Sequence, residues 1–294
     1  METKKAVIIG YGFTAQSIDA ALNQRDYDVV GVRRNWAGNE EDNVSSETIE
    51  ANLTDRSSLD DLPPSPEIVI NCASAGSRGD TERYEDVYLR GAKNLLDWAR
   101  DNNPDHILWT GSTSVYGQQN GDWVTEESET DPQRETGRIL VETEECYRSA
   151  RSDGGFETTI LRCTGIYGEG RARSLDQFLN GDNTLSLDKA NKYLNMINRE
   201  DIAHTVATLL EQSVGNETFN VTDNEPVTRR HFYVWLSQQL DRPLPKLSGR
   251  GSQHPRGNKR VSNAKLHEYL NLSLNYPNYK EGYRPILRKR GLID

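Results

Sequence analysis

The chain has 294 residues, of which 34% are hydrophobic and 27% charged, and its formal net charge is -10 at neutral pH. This length and apolar content can build one sizeable core, or one core with an appended lobe. An acidic chain of this kind is poorly suited to bind the phosphate backbone of a nucleic acid, so we exclude nucleic-acid binding.

Cysteine, histidine and hydropathy patterns narrow the class further. The three cysteines, Cys72, Cys146 and Cys163, are scattered, which favours free thiols in a reducing compartment over a disulfide framework. The histidines show no paired ligand spacing, so no metal site is predicted. No apolar run approaches the roughly 18 residues of a membrane span, and the first predicted strand begins too near Met1 for a signal peptide. We therefore expect a soluble, cytoplasmic protein with no membrane partner.

The first predicted unit is a strand, a glycine turn and a helix. The β-branched run Ala6–Ile9 is typical of a buried parallel strand, and a helical pattern follows the turn. In such a G-x-G-x-x-A turn Gly10 allows the bend and Gly12 lets a pyrophosphate approach the backbone, at the positive end of the helix. An ordinary glycine-rich βα turn is the alternative. If the turn binds a nucleotide, its cofactor-binding residues are Gly10, Gly12, Phe13 and Thr14.

The second predicted strand ends in two arginines, Arg33 and Arg34. In a dinucleotide fold the end of this strand meets the adenosine ribose, where a carboxylate suits NAD and an arginine suits the 2′-phosphate of NADP. A guanidinium group gives a forked, permanently charged contact to phosphate. The pair therefore predicts NADP as the cofactor, with NAD less favoured, unless both arginines are merely solvated.

The later elements continue the alternation of strands and helices. This alternation predicts an α/β fold with a doubly wound parallel sheet covered on both faces. We expect a helix at 201–212 with Asp201 as its N-cap, and a polar loop at 243–260. The other predicted strands are 68–72, 106–110, 158–162 and 218–221, and the other predicted helices are 82–100, 137–150 and one marked by Phe232 to Leu240.

By residue 117 the chain resembles the extended short-chain dehydrogenase/reductase family of sugar epimerases and dehydratases. The resemblance covers nearly the whole chain and lies in several spaced motifs in the same order. These motifs are the glycine turn, Ala51–Asp55, Asn71–Ser74, Ser112–Gly117, Leu161–Gly168, Asn198–Ala203, Arg260–Leu266 and Tyr276–Gly282.

The resemblance implies a Rossmann-type sheet with a small C-terminal α/β substrate lobe. It places a dinucleotide-binding domain at 1–165 and the lobe at 166–294, interleaved with the sheet as one structural unit. It also implies cofactor contacts from an adenine-side turn and from a small-residue loop. These additional cofactor-binding residues are Asn52, Leu53, Cys72, Ala73 and Ser74.

The family's catalytic Tyr-x-x-x-Lys pair is not found at the corresponding positions. Thr136 stands in place of the tyrosine and Leu140 in place of the lysine. A threonine hydroxyl is not a useful base at neutral pH, and leucine supplies no charge to lower a pKa. The chain therefore resembles an atypical subgroup that keeps the nucleotide fold and lacks the usual catalytic residues.

The remaining candidates for chemistry are hydroxyl and guanidinium groups. Ser112 matches the family's substrate-polarising serine, although a strand-end serine also satisfies local backbone groups. Thr113 and Ser114 replace the Asp-Glu pair of the dehydratases, which disfavours that reaction. Catalytic candidates are Ser112, Thr136 and Tyr116, with packing as the alternative for Tyr116 and for Tyr167; substrate-binding candidates are Ser114, Arg171 and Arg173. Arg138 is expected to pair with Glu142 one helical turn away.

Three functions stay open at this level. The first is an NADP-dependent oxidoreductase or epimerase acting on a small molecule, such as a nucleotide sugar or a hydroxy/keto metabolite. The second is an NADP(H)-binding sensor or partner protein without turnover. The third is a cleft that has drifted to another nucleotide. A homodimer through the predicted helices 82–100 and 137–150 is implied by the resemblance.

Overall fold

The computed structural model describes residues 3–36, 47–76, 79–153, 155–181, 184–249 and 257–294. The short strands outside the main sheet pair in small two-stranded sheets. The strands in these ranges are β1 (Lys4–Ile9), β2 (Tyr27–Arg33), β3 (Glu47–Glu50), β4 (Ile68–Asn71), β5 (His106–Ser112), β6 (Asp122–Val124), β7 (Glu157–Cys163), β8 (Gly165–Tyr167), β9 (Thr184–Ser186), β10 (Tyr193–Leu194), β11 (Met196–Asn198), β12 (Thr218–Val221), β13 (Val227–Thr228), β14 (Lys246–Ser248) and β15 (Lys259–Val261).

The helices alternate with the strands of the main sheet. One long helical segment, residues 81–102, contains a π-helical turn at Glu85–Arg90. The helices are α1 (Phe13–Asn23), α2 (Thr81–Tyr84), α3 (Gly91–Asn102), α4 (Glu135–Asp153), α5 (Arg173–Asn180), α6 (Leu187–Ala190), α7 (Arg199–Glu211), α8 (Arg229–Leu240), α9 (Ala264–Leu270) and α10 (Tyr279–Lys289). None of the helices in the described ranges combines the length and the apolar character needed to cross a bilayer.

Seven parallel strands form the main sheet, in the order β12-β7-β5-β4-β1-β2-β3. The order reverses between β1 and β4, which makes a topological switch point at the carboxyl ends of these two strands. The predicted doubly wound, Rossmann-type sheet is therefore confirmed. Strand β12, from the part of the chain after residue 165, completes the sheet at one edge.

Apolar residues cover both faces of the sheet and fill a third, separate core. One face packs against α3 and α4 through residues such as Trp98, Trp109 and Tyr147. The opposite face packs against α1, α7 and α9. The third core joins α5, α8 and α10 around Phe232 and Tyr283, and it gives the C-terminal lobe its own packing.

Helix α7 corrects the predicted N-cap. The helix begins at Arg199, and the Asn198 side chain caps it by accepting from the backbone N–H of Glu200 at 3.1 Å. Asp201 instead is fully buried inside the first turn, where its carboxylate accepts from the backbone N–H groups of Asn275 at 2.6 Å and Tyr276 at 3.1 Å. The carboxylate contacts residues that are distant in the sequence, so a local sequence pattern does not predict this contact.

The segment 243–260 corrects the predicted loop. Strand β14 pairs in parallel with β9, and β15 pairs in parallel with β6, so two pieces of the polar segment are strands. Their partners lie far away in sequence, and three-residue strands carry too little periodicity to be read locally. Residues 250–256 of the predicted loop lie outside the described residues.

Candidate functional site

A large cleft lies at the switch point, between the carboxyl ends of the sheet strands and the C-terminal lobe. Its volume is about 1950 Å³. A drug-sized ligand needs roughly 300–1,000 Å³, so the cleft has room for a dinucleotide beside a second ligand. The candidate cofactor residues in its lining are Gly10, Gly12, Phe13, Thr14, Arg33, Arg34, Asn52, Leu53, Cys72, Ala73 and Ser74.

The glycine turn at the start of the cleft is shaped by close backbone packing. Gly10 has φ of +79°, and a Cβ there would lie 2.4 Å from the backbone of Ala73. Gly12 is the N-cap of α1 and makes no side-chain cap, and a Cβ on it would meet only the carbonyl oxygen of Gly10, at 3.8 Å. The space over Gly12 and the first N–H groups of α1 therefore fit a phosphate group.

Strand β2 delivers its two arginines to the same cleft. The Arg33 guanidinium carbon lies 5.1 Å from the Trp36 ring centroid, and Trp36 is held by a hydrogen bond from its indole N–H to the Ile49 carbonyl at 3.1 Å. The aromatic face orients the guanidinium and weakens its hydration. The end of the cleft beside β2 is thus positively charged in the described residues.

The lobe side of the cleft is also cationic. Seven arginine or lysine side chains and two aspartates line the described part of the cleft, although the whole chain carries a net charge of -10. A concentration of positive charge in an acidic protein favours anionic ligands at that place. The cations on the lobe side are Arg171, Arg173, Lys189, Lys192 and Arg229.

Ser112 lines the cleft at the end of β5, and its hydroxyl is locally satisfied. Ser112 Oγ accepts from the backbone N–H of Ser114 at 3.1 Å, and the two serine hydroxyls lie 3.1 Å apart. The serine therefore caps the short 3-10 turn at residues 113–115 while it remains on the cleft surface. Ser114 is exposed and lies outside the cleft lining.

The Tyr116 phenol is used in a buried network outside the cleft lining. Its hydroxyl donates to Asn220 Oδ1 at 2.8 Å and accepts from Arg162 Nη1 at 2.7 Å. Burial raises the pKa of Tyr116, with Arg162 opposing that shift. Tyr167 is also buried away from the lining, stacked on Tyr283 with ring centroids 4.5 Å apart. Both phenols therefore lie in the packed interior, outside the described cleft lining.

The two positions that the resemblance predicts to correspond to the catalytic pair lie outside the described cleft lining. Thr136 is half-buried in the first turn of α4, outside the cleft lining, and Leu140 is 2% exposed in the core beneath. The predicted ion pair of Arg138 is corrected as well. Arg138 pairs with Glu135 at 3.0 Å, three residues earlier, rather than with Glu142. Spacings of three and four both bring side chains together on a helix, so the sequence did not decide between them.

Other side chains in the lining were not singled out from the sequence as site residues. Tyr84 and Tyr88 lie on either side of the π-helical turn's start, with ring centroids 5.0 Å apart, and both face the cleft. Both lie in the predicted helix 82–100, where a spacing of four residues places two side chains on the same face. A π-helical turn often marks a functional site, but it has no sequence signature. Further lining residues that the sequence did not single out include Lys189, Lys192, Arg229 and Tyr233.

Thiol and metal chemistry find little support here. All three cysteines are free thiols. Burial raises the pKa of Cys72 to about 12, so at neutral pH this cleft-lining thiol is protonated and a poor nucleophile. The described residues contain no cluster of three histidine, cysteine or carboxylate side chains that could hold a metal ion.

Comparisons with known proteins agree with this geometry. Escherichia coli K12 Protein YeeZ is 26% identical over 280 residues, which are 93% of this chain and 97% of YeeZ. A structure from Methylobacillus flagellatus, provisionally described as an NAD-dependent epimerase/dehydratase, is 27% identical with a TM-score of 0.79 and covers 99% of this chain and 100% of its own.

A third comparison concerns the fold alone. Thermus thermophilus UDP-glucose 4-epimerase in complex with NAD is 18% identical, with a TM-score of 0.84, and the match covers 99% of this chain and 100% of that one. The model of one protein family matches residues 6–222, which are most of the chain. The chain belongs to the NAD dependent epimerase/dehydratase family.

Proposed function

We propose that the chain binds NADP(H) in the switch-point cleft and acts as an oxidoreductase or epimerase on a phosphorylated small molecule, such as a nucleotide sugar, in the cytoplasm. The observation that carries the proposal is the pair Arg33 and Arg34 at the adenosine end of a cleft whose opposite wall is also cationic. A 2′-phosphate suits the first cluster, and a substrate diphosphate suits the second.

The residues present fit the cofactor. Gly12 leaves open space where a diphosphate would approach α1, and Asn52, Ala73 and Ser74 line the continuation of the cleft. When bound, the nicotinamide ring supplies a hydride acceptor or donor. The acidic side chains in the described lining, Asp176 and Asp188, belong to helices α5 and α6.

Ser112 is the residue we assign to the substrate. Its hydroxyl accepts the Ser114 N–H and donates its own O–H to Ser114 Oγ. To polarise a carbonyl or carbinol oxygen in the cleft, this O–H would turn from Ser114 Oγ to the substrate. Thr136 and Tyr116 remain predictions as catalytic residues, but their positions give them no direct access to the cleft. The second candidate function is an NADP(H)-binding protein without turnover, which is favoured by the leucine at position 140.

The test is a fluorescence titration of the protein with NADPH and with NADH. In the Arg33→Asp variant we expect the NADPH affinity to fall at least about tenfold, since a charge-assisted contact is lost, while NADH binding is kept. Arg138→Asp makes the same charge change outside the cleft and should alter neither affinity. Failure of the wild-type chain to bind either nucleotide would contradict the proposal.

Turnover is tested separately from binding. An enzyme would exchange deuteride between labelled NADPH and a member of a panel of nucleotide sugars and hydroxy or keto acids. We expect Ser112→Ala to abolish this exchange and the neighbouring Ser114→Ala to retain it. NADPH binding without exchange across the panel would favour the sensor or partner protein.

A further inference from the structure

The first side chain of α1 lies between two arginines from different parts of the chain. The Phe13 ring centroid is 4.6 Å from the Arg199 guanidinium carbon and 5.4 Å from that of Arg171. Arg199 opens helix α7, whereas Arg171 follows strand β8 at the start of the C-terminal lobe. Two cations therefore converge on the residue that directly follows the glycine turn.

The backbone after β8 is built to bring Arg171 to this place. Gly168 and Arg171 exchange two backbone hydrogen bonds, of 3.0 and 3.1 Å, which closes a tight turn. Gly170 in this turn has φ of +80°, a region open to glycine. A Cβ on Gly168 would lie 3.2 Å from the Phe13 ring and 3.1 Å from the Arg199 side chain, so a glycine permits the close approach.

The two arginines differ in what neutralises them. Arg199 pairs with Glu200 at 3.1 Å and donates to the Phe13 carbonyl at 3.4 Å, so its charge is already engaged. No carboxylate in the described residues lies within ion-pair distance of Arg171, although its side chain is exposed to the cleft. Partial desolvation, and then the charge of Arg173, lower the pKa of Arg171, and an arginine nevertheless stays protonated. Its counter-charge must come from a ligand or from solvent.

The ligand that meets this charge is indicated by what lies beneath it. Phe13 is the first residue of α1, whose N-cap Gly12 has no side-chain cap and open space above it. This is the place that the proposed function gives to the cofactor diphosphate. The sequence pattern instead assigned Arg171 to the substrate.

We propose that Arg171, stacked on Phe13, binds the diphosphate of the nicotinamide dinucleotide and so closes the C-terminal lobe over the cofactor. The aromatic ring fixes the guanidinium plane, and the forked N–H groups face the phosphate oxygens from the side opposite to α1. The lobe's Arg173 and lysines are then left for the second ligand. This inference rests on the proposed function, because it requires a dinucleotide in the cleft.

The test compares two neighbouring arginines by titration with NADPH and NADH, and uses the nucleotide that wild type binds more tightly. We expect Arg171→Met to lower this affinity at least about tenfold, and Arg173→Met, which removes the same charge from the same segment without a ring contact, to lower it less than about threefold. Phe13→Leu should reproduce a part of the Arg171→Met loss. Thermal unfolding without ligand serves as the folding control, and we expect Arg171→Met to leave it unchanged.

The other outcomes overturn the inference. Equal losses in the two arginine variants would mean that only the general positive field matters. An unchanged dinucleotide affinity in Arg171→Met, together with weaker binding of UDP, would return Arg171 to the substrate. A wild-type chain that binds neither nucleotide would refute the proposed function and this inference together, whereas binding that is indifferent to Arg171→Met refutes the inference alone.

Discussion

The buried ion pair between Arg162 and Glu144 gives the sharpest prediction about stability. Arg162, on β7, has a side chain 3% exposed, and Glu144, on α4, is fully buried. They make two hydrogen bonds, from Arg162 Nε to Glu144 Oε1 at 2.8 Å and from Nη2 to Oε2 at 2.7 Å. Burial lowers the pKa of Arg162, but the hydrogen bonds and the charge of Glu144 outweigh it and raise that pKa overall. The guanidinium is therefore charged and depends on its partner.

Replacing Glu144 by Gln keeps the shape and removes the charge. Arg162 would then be a buried cation with neutral acceptors only: the glutamine side-chain carbonyl, the Tyr116 hydroxyl at 2.7 Å and the Glu126 backbone carbonyl at 3.2 Å. Arg148, which also pairs with Glu144, would lose the same carboxylate. Breaking a buried pair by removing one partner costs about 3–5 kcal/mol. Because glutamine retains one hydrogen-bond acceptor, we expect a loss near the lower end, about 3 kcal/mol, in the free energy of unfolding.

The assay is urea-induced unfolding followed by circular dichroism, with the change read from the transition midpoint. Glu135→Gln is the matched control, since the Glu135 side chain is 56% exposed and pairs with an exposed Arg138 on the same helix. Exposed pairs contribute roughly 0–1 kcal/mol, so this variant should unfold close to wild type. A loss below about 1 kcal/mol for Glu144→Gln would refute the reasoning, because the Arg162 charge would then be compensated without its carboxylate.

Two further predictions concern a buried acid and the glycine turn. Burial, with the charges of Glu225 and Asp201, raises the pKa of Asp223 well above 3.8, and its Oδ2 has no hydrogen-bond partner in the described residues. A raised folded-state pKa gives stability that is full below the unfolded pKa and is lost as the pH rises through the folded pKa. Asp223→Asn should therefore be more stable than wild type at neutral pH and lose that advantage below pH 4, and an equal pH slope of the unfolding midpoints would contradict this. For the turn, Gly10→Ala should destabilise the fold by at least about 1 kcal/mol, because φ at Gly10 is +79° and the new Cβ would collide with the Ala73 backbone. Gly12→Ala should leave thermal unfolding unchanged and weaken NADPH binding. Equal melting temperatures for the two variants would contradict this account of the turn.

The sheet was predictable because its signals are local. All four residues of β4 are buried, and a short apolar run is the pattern that a strand covered on both faces produces. The predicted strand 218–221 agrees with β12 at both ends. The glycine turn was equally readable, since Gly10 is required by its own φ angle and by a neighbouring strand end. These features follow from backbone geometry and apolar spacing.

Side-chain partners were less predictable, because a short polar group serves several purposes at a helix start. Asn198 and Asp201 both suit an N-cap by type. In the structure Asn198 is the cap, whereas the Asp201 carboxylate accepts hydrogen bonds from backbone N–H groups some 70 residues later in the chain. Strands β14 and β15 were missed for the same reason, since their pairing partners precede them by long stretches of chain.

The cleft shows the same division between what is local and what the fold assembles. The sequence motif that carries Tyr116 lies beside Ser112, yet the Tyr116 hydroxyl points into a buried network with Arg162 and Asn220. Two phenols that the fold does bring to the lining, Tyr84 and Tyr88, come from the predicted helix 82–100. Net charge misleads in the same way, because this acidic chain places cations on both walls of one cleft. Chemical roles in this protein therefore have to be assigned from the side chains that line the folded cleft rather than from a sequence motif. We propose to look for substrate recognition on the cationic lobe side of that cleft.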